Sequence, residues 1–289
     1  MSIHQRNLMV SICAVVLISL GACENTAPVT QTIEPTTVVK PTPEPSASET
    51  VPASLTPEPP TSTPLPTASH TPFPTVEYST EIVSFTTEDE IDLEGTLFLS
   101  QGDTAVVFAH MAGENDQQNW IPFAEETASR GFTALTFNFR CYGGSGCGGT
   151  DSGSVLLSRD IGAAIDFLRR RGFERIVCIG ASMGGRACVN AAFEHELVGL
   201  AIVSGTGSFD PDRQNLEDIV SPDMPKLFIV SENDHVALRT ADMTRLYEGA
   251  PEPKVFRTFP GSAHGTELFT SKYGRQFREA LFDFLVGIR

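Results

Sequence analysis

The chain has 289 residues, with 36 acidic against 20 basic side chains and a formal net charge of −16. That length accommodates one large domain or two small ones. The acidic balance excludes a nucleic-acid binder, which needs a basic footprint for the phosphate backbone, and reads as a soluble acidic surface.

The first residues read as a targeting segment. Arg6 supplies a positive start, and Leu8 to Leu20 is an apolar run too short and too early for an ordinary spanning helix. It ends in Leu20-Gly21-Ala22-Cys23, which resembles the lipobox of bacterial lipoproteins. The resemblance implies loss of residues 1–22, a lipid on Cys23 and a protein held on the outer face of a bacterial membrane. The competing reading is an ordinary secretory signal with an incidental cysteine, and it exports the chain as well. Residues 23–77 are dominated by Pro, Thr, Ser and Glu. Such a segment cannot bury enough apolar surface to offset its ordering entropy, so it is expected to be a disordered spacer. Its reach is on the order of 40 Å if coiled and ~170 Å if polyproline-like.

From Tyr78 the pattern changes, and residues 78–289 read as one folded domain. Glu81–Thr86 and Leu93–Leu99 suggest an opening antiparallel pair. Four apolar runs follow, at 105–109, 134–137, 176–179 and 199–203, and a fifth at 227–230; these read as parallel strands buried on both faces. Val255–Phe259 is a further strand. Helical patterns near 121–130, 156–171, 183–195, 238–248 and 270–287 alternate with them. The fold class predicted is α/β, a mostly parallel, doubly wound sheet whose ligands sit at the carboxyl ends of the strands.

Gly180-Ala181-Ser182-Met183-Gly184 lies between the strand at 176–179 and the helix that follows. In that context Gly-x-Ser-x-Gly forms a nucleophile elbow, a tight turn that lifts the serine hydroxyl clear of the backbone. A serine hydroxyl needs a base, and the base an orienting acid. Of six histidines, His4 and His70 lie outside the folded domain, His195 falls at a polar helix end, and His264 follows the last strand in a small-residue loop. His264 is therefore the candidate base. The acid is expected after the strand 227–230, where Asp234 comes first, Glu232 second and Asp210, after the preceding strand, third. His235, beside Asp234, reads as a surface residue. Two backbone N–H groups would hold the oxyanion, those of Met183 and of Met111; His110 reads as structural.

These features together resemble the α/β-hydrolase superfamily, particularly its compact dienelactone-hydrolase-like and esterase-like members. The chain order Ser182, Asp234, His264 is that of the superfamily. His110-Met111 resembles its His-Gly oxyanion segment, with Met in place of Gly. Arg140-Cys141-Tyr142-Gly143-Gly144-Ser145 resembles its Arg-Gly-x-Gly-x-Ser loop, with Cys in place of the first Gly. A dienelactone hydrolase would carry Cys as nucleophile, so Ser182 favours ester chemistry. The resemblance implies a serine carboxylesterase acting on a small-molecule ester, with no metal or organic cofactor. Alternatives are a peptidase or thioesterase on the same fold, or a non-catalytic surface binding module.

Three further expectations concern the loops. Cys141 and Cys147 flank a glycine-rich loop and are expected to pair in an exported protein, whereas Cys178 and Cys188 read as buried free thiols. Gly144–Gly149 also fits Gly-x-Gly-x-x-Gly, the dinucleotide fingerprint, but no predicted helix opens there. The crossing Ser204–Lys226, with Pro211, Pro222 and Pro225, predicts little or no cap, leaving a mouth lined by Met111, Trp120, Tyr142 and Met183.

Overall fold

Eight strands hydrogen-bond into one sheet in the computed structural model, which describes residues 75–148, 154–205 and 224–288. The signal segment, Cys23, nearly all of the spacer, Asp210 and most of the crossing Ser204–Lys226 lie outside the described residues. In chain order the elements are β1 (Ser79–Thr86), β2 (Asp92–Leu99), β3 (Thr104–Ala109), α1 (Ile121–Ser129), β4 (Thr133–Phe137), α2 (Ser154–Arg170), β5 (Arg175–Ala181), α3 (Met183–Ala191), β6 (Gly199–Val203), β7 (Lys226–Ser231), α4 (Arg239–Gly249), β8 (Lys254–Phe259) and α5 (Gly274–Ile288). The strand order is β1-β2-β4-β3-β5-β6-β7-β8. β1 and β2 are antiparallel to their neighbours, and all other pairings are parallel.

The apolar runs become central strands because helices cover both faces, so that every residue of β3, β4, β6 and β7 is buried. Along β3 the side chains alternate between two cores. Val107 and Ala109 face the core built with α2, α3 and α4, while Val106 and Phe108 face the one built with α1 and α5. α5 shows why a helix seals that second face: Phe277, Leu281, Phe282, Leu285 and Ile288 fall at positions i, i+4, i+5, i+8 and i+11 and are buried, in line with a single apolar stripe. The registers Ala109↔Gly180, Ala181↔Val203, Val203↔Ile229 and Ser231↔Phe259 then align the carboxyl ends of five strands along one edge. Loops from that edge converge.

The loop after β4 is fixed by a buried ion network that the sequence did not announce. The Arg140 guanidinium donates to Asp160 of α2, through Nε at 2.9 Å and Nη2 at 2.7 Å, and grips Asp89 through Nη1 at 2.7 Å. The Asp160 side chain is wholly buried, and that of Asp89 is 29% exposed. Burial pushes the Asp160 carboxyl above the ordinary carboxylate range in spite of Arg140, whereas the Arg140 hydrogen bond pulls Asp89 far below it.

The loop that follows Arg140 departs from the Arg-Gly-x-Gly-x-Ser pattern where backbone geometry matters most. Cys141, at the position of the pattern's first glycine, has φ of +65° and is joined to Cys147, their Cα atoms 4.4 Å apart. The Gly144 amide donates to Glu94 Oε2 at 2.9 Å and the Gly146 amide to the Asp92 carbonyl at 2.7 Å. Two amides of the dinucleotide-like run are thus spent on β2, one of them on a carboxylate that would repel a phosphate.

Replacing Asp160 with Ala leaves Arg140 charged in the interior without its inner partner. Chemical denaturation is expected to show a loss of about 3–5 kcal/mol for Asp160→Ala and a clearly smaller loss for Asp89→Ala, since water can reach the guanidinium on that side.

Candidate active site

Ser182 sits at the bend between β5 and α3 with φ +49° and ψ −110°, outside the regions that non-glycine residues prefer. Its neighbours explain how that conformation is held. A Cβ on Gly180 would stand 2.4 Å from Gly184 backbone atoms, and a Cβ on Gly184 would stand 2.3 Å from the Ala109 carbonyl oxygen. Both glycines are therefore required by close backbone approach, the first within the elbow and the second where α3 meets the end of β3. The Ser182 amide donates to the Val203 carbonyl at 2.8 Å, fastening the turn to β6. As the first residue of α3, Met183 presents an amide for which the helix has no carbonyl.

His264 and Asp234 lie on the loops that leave β8 and β7. Those loops are joined side by side: the amides of Glu232, Asn233 and His235 donate to the carbonyls of Phe259, Gly261 and Ser262, and Ser231 Oγ donates to the Ala263 carbonyl at 2.6 Å. Gly261, with φ +108°, makes the reversal after β8. The pairing brings His264 Nδ1 to 2.9 and 3.0 Å from the two Asp234 carboxylate oxygens. The Asp234 side chain is fully buried and also accepts the Val236 amide at 3.0 Å. Burial pushes this carboxyl upward, but the His264 and Val236 hydrogen bonds outweigh burial and hold it below the ordinary value. Asp234 is accordingly an anion, and it fixes the proton of His264 on Nδ1, leaving Nε2 as the acceptor nitrogen.

Ser182 and His264 line one cleft of about 330 Å³, together with Met111, Gly113, Asn115, His235, Val236, Arg239 and Glu267. No direct hydrogen bond joins Ser182 Oγ to His264 in this structure. Glu267 accepts the His264 amide at 2.8 Å and His235 Nε2 at 3.0 Å, which ties His235 to the rim; the His235 side chain is 53% exposed. Met111 comes from the loop after β3, and its sulfur packs on the turn carrying His264: a Cβ on Gly265 would stand 2.8 Å from it.

The other sequence candidates fall as follows. Glu232 is exposed, and Asp210 lies outside the described residues. His195 is half-buried against α2, where a Cβ on Gly162 would meet its ring at 2.6 Å. His110 is fully buried: the Phe139 amide donates to Nε2 at 3.1 Å, so Nδ1 carries the proton and donates to the Met111 carbonyl at 2.8 Å. It therefore shapes the Met111 loop from beneath.

Two expectations are corrected. Trp120 does not reach the mouth; it is fully buried, stacked on Phe108, with Nε1 donating to the Ala109 carbonyl at 3.0 Å. Tyr142 packs on Met183, its hydroxyl 3.8 Å from the sulfur, and of the four residues expected at the mouth only Met111 lines the cleft. Cys178 and Cys188 are not free thiols but a disulfide, with Cα atoms 5.9 Å apart, bridging β5 to α3 on either side of Ser182. A strand and a helix that fold back on each other through a tight turn bring such positions together, and that was the overlooked signal. Arg239 and Glu267 had no comparable signal, because they enter the cleft only through the paired loops. Among the described residues no cluster of three or more His, Cys, Asp or Glu side chains is arranged to hold a metal ion.

Several solved structures are similar to this chain. The chain aligns with an esterase of Pyrococcus furiosus at 19% identity and a TM-score of 0.56, covering 72% of this chain and 91% of that one. A thermophilic esterase of Thermogutta terrifontis aligns at 16% identity and a TM-score of 0.57, over 72% and 99%. A hydrolase of Pseudomonas aeruginosa aligns at 13% identity and a TM-score of 0.58, over 71% and 98%. The chain has the α/β-hydrolase fold. No protein-family model and no curated protein matches the sequence.

Within this α/β-hydrolase domain, burial lowers the pKa of His110 from the ordinary 6.5 to about 4. The folded state then binds fewer protons than the unfolded chain between those values. The stability contribution is complete above pH 6.5 and is lost as the pH falls from 6.5 toward 4, amounting to about 3 kcal/mol over that window. Urea midpoints from pH 7.5 to 4.5 are expected to fall in wild type and to fall less in His110→Gln. An NMR titration showing an ordinary midpoint for the His110 ring would contradict this.

Proposed function

We propose that the protein is an exported serine hydrolase that cleaves carboxylic esters through an acyl-enzyme. The observation that carries the reading is the meeting of three features at one edge: a strained serine on the elbow, a histidine in the same cleft, and a buried carboxylate on that histidine's Nδ1. In this reading Ser182 Oγ attacks the ester carbonyl while His264 Nε2 takes its proton. Asp234 holds the imidazole in the required tautomer and stabilises the imidazolium. The amides of Met183 and Met111 stabilise the oxyanion. The proton passes from Nε2 to the departing alkoxide, leaving an acyl-serine; water activated by the same nitrogen then releases the acid and restores Ser182. The names of the solved neighbours, two of them esterases, support esters as the substrate class.

Export and anchoring belong to the same proposal. Lipidation at Cys23 would place the domain outside the membrane at the end of the spacer formed by residues 24–77. The two disulfides accord with an oxidising compartment. If Cys23 carries the lipid, mass spectrometry of the mature protein will find Cys23 acylated as residue one, and Cys23→Ser will abolish lipidation and membrane partitioning. A mature N-terminus elsewhere would end this part of the reading.

A fluorophosphonate probe is expected to label Ser182 alone. Ser182→Ala, His264→Ala and Asp234→Asn are each expected to lower kcat on a simple aryl ester by roughly 10⁴-fold or more. His235→Ala should change it little, because that ring faces Glu267 at the rim. A Ser182 that resists the probe would support a binding module instead, and equal losses at His235 and His264 would mean that the base has been misassigned.

A further inference from the structure

Arg239, the first residue of α4, lines the same cleft as Ser182 and His264 but has no part in the chemistry above. Its side chain is only 10% exposed. A guanidinium offers five donors, and a buried one is ordinarily paired with a carboxylate. Among the described residues its partners are few. Nη1 donates to the Gly205 carbonyl at 3.2 Å, Nε is buried without a hydrogen-bond partner, and Asp242 stands at 3.9 Å, beyond hydrogen-bonding distance and shared with Arg245 at 4.0 Å. The remaining carboxylate on the cleft wall, Glu267, is engaged by His235 and by the His264 amide.

A second cation adds to this charge. Arg186 stands on α3 four residues after Ser182, and its proton affinity is lowered by burial and, next, by the charge of Arg239. Two guanidiniums are thus held within electrostatic reach of one another in a chain of net charge −16. The cleft, at about 330 Å³, suits a small ligand.

Building on the ester-hydrolase reading, we infer that Arg239 is a binding residue for a carboxylate carried by the substrate, so that the enzyme selects small anionic esters over neutral ones of equal size. A planar carboxylate would supply acceptors for the Arg239 donors that have no partner among the described residues, with the bidentate geometry that arginine favours. The scissile carbonyl would remain over Ser182, and the carboxylate would lie a few carbons away.

The test pairs a binding measurement with turnover. In the full-length Ser182→Ala protein, glutarate should bind measurably by calorimetry, and Arg239→Gln in that background should weaken it roughly 10- to 100-fold, the loss typical of a charge-assisted hydrogen bond. Arg239→Lys should recover part of the affinity. In the active enzyme, 4-nitrophenyl hemiglutarate, with the carboxylate on the acyl side, and 4-acetoxybenzoate, with it on the alcohol side, are compared with 4-nitrophenyl valerate and phenyl acetate. Wild type should prefer at least one anionic ester by 10-fold or more in kcat/KM. Arg239→Gln should remove that preference while changing turnover of the neutral esters less than about threefold. Absence of glutarate binding, absence of any anionic preference, or an equal loss on anionic and neutral esters in Arg239→Gln would overturn the inference. Glutarate binding that depends on Arg239 without hydrolysis of any ester would uphold the anion site and overturn the ester-hydrolase reading.

Discussion

The contact on which the site depends is backbone against backbone, where Gly184 at the start of α3 meets the Ala109 carbonyl at the end of β3. A side chain there would force the helix away from the sheet and with it the elbow carrying Ser182. The contact also sets two chain segments side by side, the first turn of α3 with the Met183 amide and the loop after β3 with Met111. The pair of amides proposed to hold an oxyanion is thus a product of close packing between a helix start and a strand end. His110 supports the arrangement from below by holding the Met111 carbonyl.

The second half of the site rests on a different principle. Asp234 and His264 lie 30 residues apart in sequence, and each sits on a loop. What makes the pair rigid is that the two loops continue the pairing of β7 and β8 beyond the strands, amide to carbonyl, as far as Ser262. The loops therefore inherit the order of the sheet, and the buried carboxylate is positioned before any substrate arrives. In the proposed reaction, placing this pair on strand extensions limits the entropy that would be lost on assembling it at each turnover.

Much of this could be read from the residues. The runs at 105–109, 134–137 and 227–230 are apolar without alternation, as strands covered on both faces must be, and the strained serine was marked by the two glycines its turn requires. His264 emerged by elimination among six histidines, and Asp234 by its place after a strand. What escaped was long-range and polar. Nothing local to Arg140 names Asp160 as its partner, since the ion pair exists only once α2 lies across the end of β4. Trp120 was expected at the mouth left open by a small cap, yet its indole is buried beside Phe108. Cys178 and Cys188 each looked like an ordinary buried thiol, and only the hairpin of β5 with α3 makes them neighbours.

That last pairing has a consequence for the chain as a covalent object. Residues 178–188 form a closed ring with Ser182 inside it. The elbow cannot open by peeling α3 away from β5 unless the whole ring moves, so local fluctuations of the two elements are coupled. The ring also contains Arg186. Trypsin cleaving there would leave the peptide from Ile176 to Arg186 tethered to the next one through Cys188. Any mass assigned to the serine-bearing fragment would therefore be that of a two-peptide species until a thiol reductant separates them.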